Sequence, residues 1–297
     1  MRSRTIDLDG PVHFADFGGS GQTMVLVHGL GGSHANWAAV GPAFAARARV
    51  VAPDLAGFGR TPLGDRAATV QANRRLLDRF VDAVADGPVI LVGNSMGGLI
   101  AMMEAARRPG KVAALVLVGP AQPRPSRTLI DPVVALTFTV YAIPGVGERF
   151  LRWRAAYLGP EALVRQTLAL CCADATAVAP DVVALHVALA RERERMPWAY
   201  TAFLQAARSI IALLARRRHV EKMIAAIRAP TLVVQGTEDR LVPLAASRAT
   251  VARRPGWSLA VFDGVGHVPQ LEAPGRFVET VGRWLDAPGA TDVAAAR

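Results

Sequence analysis

Gly93-Asn94-Ser95-Met96-Gly97-Gly98 sets one serine among glycines, after the apolar run Val89-Ile90-Leu91-Val92 and before Leu99-Ile100-Ala101-Met102-Met103. A βα turn that needs small residues reads this way. So does a nucleophile. Glycines two residues either side permit a sharp turn that projects the Ser95 hydroxyl from a strand end. A helix starting at Met96 would aim its N-terminal N–H groups at charge developing there. A serine hydroxyl is weak without a base, commonly a histidine oriented by a carboxylate. With the order Ser, Asp or Glu, His, few candidates follow residue 227. His267 lies in Gly264-Val265-Gly266-His267-Val268-Pro269, and Asp239, next to Glu238, lies in Gly236-Thr237-Glu238-Asp239-Arg240. Attack on a carbonyl creates an oxyanion that needs two donors. The Met96 N–H is one, and the Leu30 N–H in His28-Gly29-Leu30-Gly31-Gly32 is the other expected.

These residues need a frame, and the hydrophobic pattern supplies one. Strand signals at 12–17, 23–27, 49–52, 89–92 and 112–118 alternate with helix signals at 37–46, 70–84 and 96–107. Such alternation means βαβ units and a mostly parallel sheet flanked by helices, an α/β fold. Asp239 and His267 each follow a strand-like run, at 231–236 and 259–262, and ligands bind outside the carboxyl ends of parallel strands. From 121 to 227 no β-run is visible, and helical windows stand at 129–142, 148–157, 161–170, 181–195 and 198–214. The expected organisation is a core in two parts, 1–120 and 228–286, interrupted by a helical cap at 121–227 and followed by a disordered tail at 287–297. The run 133–141 is unusually apolar. A helix buried against the sheet is the expectation for it, with a pocket wall or lipid-touching lid as the alternative.

The 297-residue chain is 52% hydrophobic and 20% charged, enough for a real core. Its net charge of +10 would suit nucleic acid or a membrane surface. However, of 34 basic residues only Lys111 and Lys222 are lysines, the arginines are dispersed, and no nucleic-acid signature accompanies them. The densest run, Arg216-Arg217-Arg218-His219, reads as a solvated helix face. The start, MRSRTIDLDG, has no apolar signal region. The uncharged runs are shorter than the ~20 residues of a membrane span, so stable insertion is not expected and transient lipid contact stays open. Adjacent Cys171 and Cys172 are strained for a disulfide and have no metal-binding spacing. A reduced cytoplasmic protein, monomer or homodimer, is the expectation.

In order along the chain, HGLGG (28–32), Trp37, PDLAGFGRT (53–61), GNSMGG (93–98), GTEDRLVP (236–243) and GHVPQLEAP (266–274) resemble the α/β-hydrolase superfamily in its serine-nucleophile, helical-cap branch. The resemblance implies nucleophile Ser95, acid Asp239 rather than Glu238, base His267, and oxyanion donors Leu30 and Met96. It implies that His28 supports the oxyanion loop, that Asp54 ties loops together, and that Glu272 is structural. His13, His34, His186 and His219 carry no motif and are expected to be packed or on the surface. No cofactor and no metal are implied. The cap aromatics Phe138, Tyr141, Trp153, Tyr157, Trp198, Tyr200 and Phe203 are expected mostly in the core at their helical spacing, with two or three facing the serine; Phe138, Tyr141 and Trp198, with Val268, are the pocket candidates. Serine at the turn argues against epoxide hydrolases and haloalkane dehalogenases, which place aspartate there.

GNSMGG also resembles the meta-cleavage-product C–C hydrolases. Those typically have an aromatic residue after the histidine, where this chain has Val268, and a glycine-richer loop where Leu30 intrudes. GHVPQLEAP is closer to esterases and cofactor-free perhydrolases. The expected substrate is a small carboxylic ester with an apolar acyl or alcohol part, with C–C hydrolase, amidase, lactonase, acyltransferase or perhydrolase as alternatives. A non-enzymatic module is disfavoured because Ser95, Asp239 and His267 are all present.

Overall fold

Short runs of β-branched and aliphatic residues make the sheet, and their order in it decides where the loops gather. The computed structural model describes residues 1–288. The strands are β1 (Arg2–Asp7), β2 (Pro11–Gly18), β3 (Thr23–Val27), β4 (Arg49–Pro53), β5 (Val89–Asn94), β6 (Val112–Val118), β7 (Thr231–Gly236) and β8 (Trp257–Phe262). They form one sheet in the order β1-β2-β4-β3-β5-β6-β7-β8. The β1–β2 and β2–β4 pairings are antiparallel and the rest parallel. β3, β5, β6 and β7 are buried at every position, as a sheet covered on both faces requires.

The helices are α1 (Gly41–Phe44), α2 (Val70–Val84), α3 (Met96–Arg107), α4 (Pro132–Ala142), α5 (Val146–Cys171), α6 (Pro180–Glu194), α7 (Ala199–Ala215), α8 (Arg217–Ala225), α9 (Leu244–Val251), α10 (Pro269–Glu272) and α11 (Pro274–Leu285). The pleat sorts strand residues between two cores. Val25, Val27, Leu91 and Leu117 meet α2 and α3 on one face. Met24, Leu26, Val92 and Val116 meet Trp37, Phe44 and Phe277 on the other. Between β6 and β7 the chain is helical from α4 to α8. α7 sends Ala202, Ala206, Ile210 and Leu213 into the first core, which ties this segment to the sheet.

Several elements differ from the reading of the sequence. β1 was not visible in Arg2–Asp7, an edge strand with no buried residue and hence no alternation. The 37–46 helix is a 3-10 turn at His34–Trp37, capped by Ser33, then the four residues of α1, with Pro42 in its first turn. The windows at 148–157 and 161–170 join into α5, interrupted only at Gly159 (φ 68°, ψ 170°) before Pro160. α8, which contains Arg217-Arg218-His219, was not read as an element of its own. The largest correction concerns α4. It is not buried against the sheet: of its residues only Val134 and Tyr141 are buried, while Val133 and Leu136 are 56% and 67% exposed. α5 and α7 flank it on one side, and no element of the described residues covers the other. Cys171 ends α5, and both cysteines are free. The tail assigned to 287–297 lies outside the described residues from 289 onward.

Candidate active site

Ser95 sits between β5 and α3 at φ 54°, ψ −115°, a left-handed conformation that L-residues rarely adopt. Such strain persists only where the surroundings impose it. Here Ser95 N–H donates to Val118 O (2.9 Å), while Ser95 O accepts from Leu99 N–H and Ala121 N–H. Gly97 must lack a side chain, because a Cβ would stand 2.2 Å from Val27 O. The serine is thus clamped among the carboxyl ends of β3, β5 and β6.

The loop after β3 lies against it. A Cβ on Gly29 would be 3.2 Å from Ser95 Cβ. Leu55 N–H donates to His28 Nε2 (3.1 Å), so Nδ1 carries the ring proton and donates to Gly29 O at 2.8 Å. Burial holds the His28 pKa down at about 4, so the ring stays neutral. Gly29 O also accepts from Gly32 N–H at 3.1 Å. With its oxygen fixed, the trans Gly29–Leu30 peptide turns the Leu30 N–H the opposite way, outside the turn's own hydrogen bond. Met96 is the first residue of α3, and its N–H is one of the free donors of that helix start.

Asp239 and His267 meet beside the same strand ends. His267 Nδ1 is 2.7 Å from Asp239 Oδ2. The carboxylate also accepts from Gln235 Nε2 (2.6 Å), Leu241 N–H (2.9 Å) and Val242 N–H (2.8 Å). All its other partners are donors, so His267 Nδ1 carries the proton and Nε2 remains the basic nitrogen. Gly119, one residue beyond the Val118 that holds Ser95, packs against this pair: a Cβ there would lie 2.9 Å from His267 Nδ1 and 3.0 Å from Asp239 Oδ2. Asn94 Nδ2 joins the groups by donating to Val118 O and His267 O. Glu238 is outside this arrangement, its carboxylate near the Thr237 hydroxyl.

The histidine loop is anchored from the helical segment, which sequence reasoning missed. His267 N–H donates to Cys171 O (2.5 Å) at the end of α5. Glu272 accepts from Gly266 N–H (2.7 Å) and Asp174 N–H (2.8 Å). Gln235 was missed as well, although a polar residue closing the apolar β7 run is a signal. Ser247 Oγ donates to Gln235 Oε1 and accepts from Gln122 Nε2, extending a buried chain to the start of the helical segment. Burial pushes the Cys171 thiol up to about 12, with the Asp239 charge adding to it, so this thiol is protonated at neutral pH.

Of the pocket candidates, Tyr141 is buried, its ring 5.2 Å from that of Phe203, which lies against Gly31 of the glycine loop after β3. Phe138 is half-buried beside Tyr141, and Trp198 packs at the margin of the first core. Val268 is 4% exposed, in a cluster with Leu168, Cys172, Val182 and Leu271. His13, His34 and Asp54 form a buried group whose ligand-type atoms lie within 4.8 Å of one another. Its two Nδ1 atoms and its carboxylate are already engaged with one another. Asp54 accepts from both Nδ1 atoms and from His34 and Arg60 N–H, and His13 Nε2 pairs with Ser3 Oγ. Burial opposes the Asp54 charge, but the two histidine hydrogen bonds outweigh it and hold the pKa well below the usual range. The cluster is a strut joining β1 and β2 to the loops beneath the site. His186 is half-buried, and burial lowers its pKa to about 4. His219 is on the surface of α8.

Known proteins share this architecture. The family model of the alpha/beta hydrolase fold matches residues 22–274. The 2-hydroxymuconate semialdehyde hydrolase of Pseudomonas sp. strain CF600 is 32% identical over 280 residues, covering 90% of this chain and 88% of the relative. The pimeloyl-[acyl-carrier protein] methyl ester esterase of Aromatoleum aromaticum is 32% identical over 254 residues, covering 84% and 93%. In three dimensions a thermophilic esterase from Thermogutta terrifontis superposes with a TM-score of 0.68 at 23% identity, over 96% of this chain and 98% of the other, a likeness of fold. The strained serine after β5, the glycine loop after β3 and the paired Asp239 and His267 after β7 and β8 stand in a chain that belongs to the alpha/beta hydrolase fold family.

Proposed function

We propose that this chain hydrolyses carboxylic esters with an apolar acyl or alcohol part. The observation that carries the reading is the Asp239–His267 pair, which leaves Nε2 as the basic nitrogen and is tied through the Asn94 Nδ2 bond to His267 O to the residue before the strained Ser95. In this mechanism His267 Nε2 takes the Ser95 proton as Oγ attacks the carbonyl carbon. The Leu30 and Met96 N–H groups receive the oxyanion. The imidazolium, held by Asp239, protonates the departing alcohol as the tetrahedral centre collapses to an acyl-enzyme. Water, deprotonated by His267, then releases the acid and returns the proton to Ser95. Tyr141 and Phe203, against the oxyanion loop, supply an apolar wall suited to a hydrocarbon part. The methyl ester esterase among the relatives supports the ester reading.

A C–C hydrolase of meta-cleavage dienones is the second reading, favoured by the 2-hydroxymuconate semialdehyde hydrolase relative. Val268 after the histidine and Leu30 in the glycine loop weigh against it. The test is hydrolysis of p-nitrophenyl esters from acetate to palmitate, wild type against Ser95→Ala. Turnover that falls by about 10⁴-fold or more in the variant is expected. A folded wild type that turns over no ester but cleaves a dienone would replace the first reading with the second.

A further inference from the structure

We propose that the outer face of α4 and the first half of α5 is a docking surface for an anionic lipid bilayer. Among the described residues, every large apolar side chain that is exposed, apart from Met1, falls between Leu129 and Tyr157. They include Val133 and Leu136 on α4, Ile143 and Val146 at the α4–α5 turn, and Trp153 and Tyr157 on α5. Scattered exposed apolar residues need no explanation, but this concentration in one helix pair does. α4 carries no charge between Pro132 and Ala142, and it is apolar on all sides. Such a helix is ordinarily enclosed. Its Thr137 and Thr139 hydroxyls donate to Val133 O and Ala135 O of the same helix, so they need no water.

The charges around this face select the occupant. Its acidic residues are neutralised: Asp131 pairs with Arg240, Glu148 with Arg208 and Glu161 with Arg191. Exposed Arg127, Arg149 and Arg152 have no acidic partner among the described residues and leave the rim cationic. Trp153 and Tyr157 stack at 5.7 Å with planes 10° apart, one helical turn apart and beside these arginines. Amphipathic rings at headgroup depth, aliphatic side chains below them and arginines on phosphates are the components of interfacial binding. A two-fold dimer through this face would set the same arginines against one another.

An aromatic path leads inward from the face. Tyr157, Trp153, Phe150, Tyr141 and Phe203 are successive neighbours, and Phe203 lies against Gly31. The surface is therefore continuous with the wall of the oxyanion loop, and docking would bring that loop to the lipid.

The test is sedimentation of the full chain with vesicles of phosphatidylcholine, or of phosphatidylcholine mixed with phosphatidylglycerol, at low and high salt. Binding to the mixed vesicles at low salt, weaker by about 10-fold or more on neutral ones, is expected. Arg149→Gln with Arg152→Gln should weaken it by on the order of 10-fold. Arg107→Gln with Arg228→Gln removes the same charge at the far end of the sheet and should leave it unchanged. Leu136→Asp should abolish binding, with thermal unfolding showing that the variant is folded. If wild type stays in the supernatant with both vesicles, the proposal is overturned. Equal weakening by both arginine pairs overturns it too, because net charge alone would then explain binding. A dimer in sedimentation velocity that Leu136→Asp dissociates would assign the face to a second copy and overturn it as well.

Discussion

β5 and α4 are both uncharged and almost wholly apolar, yet β5 is buried at every position and α4 at two. The difference is in what stands beside them. β5 lies between β3 and β6 with α3 over it, so no side chain on either face meets water. α4 meets α5 and α7 along one side only. Apolar composition says that a segment avoids water when something covers it. It does not say that the cover belongs to the same chain. One region is therefore a scaffold, in which residues serve packing, and the other is a surface whose composition asks for a partner.

The sharpest way to break this contrast is to delete the same atoms from each region. Leu91→Ala in β5 should cost about 2–5 kcal/mol, since Leu91 is fully buried and leaves a cavity. Leu136→Ala on α4 should stay within about 0.5 kcal/mol. Denaturant midpoints measure both. Comparable losses would mean that α4 is covered in solution by its own chain.

Polar residues inside the scaffold sharpen the comparison further. Gln235 lies in the fully buried β7 and spends one N–H on Asp239 Oδ2. Gln235→Leu keeps the packing but removes a donor to a charged group, an interaction worth about 1.5–3 kcal/mol. We expect kcat on the preferred ester to fall by about 10- to 100-fold with KM little changed, because the Asp239 carboxylate loses one of the bonds that orient it towards His267. A rise in KM at constant kcat would instead place Gln235 in substrate binding.

The smallest effect concerns Glu104, buried in α3 beneath the site and paired with Arg74 at 2.7 Å. Burial, with the nearby Asp78 charge, raises its pKa to about 7 from the ordinary 4.5. An acid harder to ionise in the fold than in the unfolded chain weighs on stability wherever the unfolded form is ionised. That burden is absent below about pH 4.5, grows as pH rises, and is complete above about pH 7. Glu104→Gln should therefore flatten the fall in unfolding free energy across that window, measured in urea at several pH values. An unchanged slope would assign the fall to other groups.

Much of the scaffold was readable along the chain. The β3, β5, β6 and β7 runs are short, apolar and bounded by Gly or Pro, which strands buried on both faces produce. Ser95 could be singled out because glycines two positions either side are a local requirement of its turn. The contact of Asp239 with His267 could be anticipated only as two strand ends on one edge, and the resemblance narrowed the choice between Asp239 and Glu238. The Cys171 carbonyl had no such signal and Gln235 only that of a polar residue ending an apolar run, because a backbone acceptor or a single amide acquires its role from what the fold carries up to it; the resemblance marked Glu272 as structural but not the Gly266 and Asp174 N–H groups it accepts from. α8 was obscured by its length of only 9 residues, and the join of α5 by the break at Gly159 before Pro160.

What the sequence determined by itself was local: which runs are strands, where the chain turns sharply at Ser95, and that the segment between β6 and β7 is helical. These follow from side-chain spacing and backbone sterics within a few residues. What only the tertiary structure decided was exposure and partnership: that α4 faces outward, that β1 extends the sheet at its edge, and that His13 and His34 converge on Asp54. Burial and hydrogen bonding between distant residues depend on which surfaces the fold brings together, and no spacing along the chain encodes the neighbour that fails to arrive.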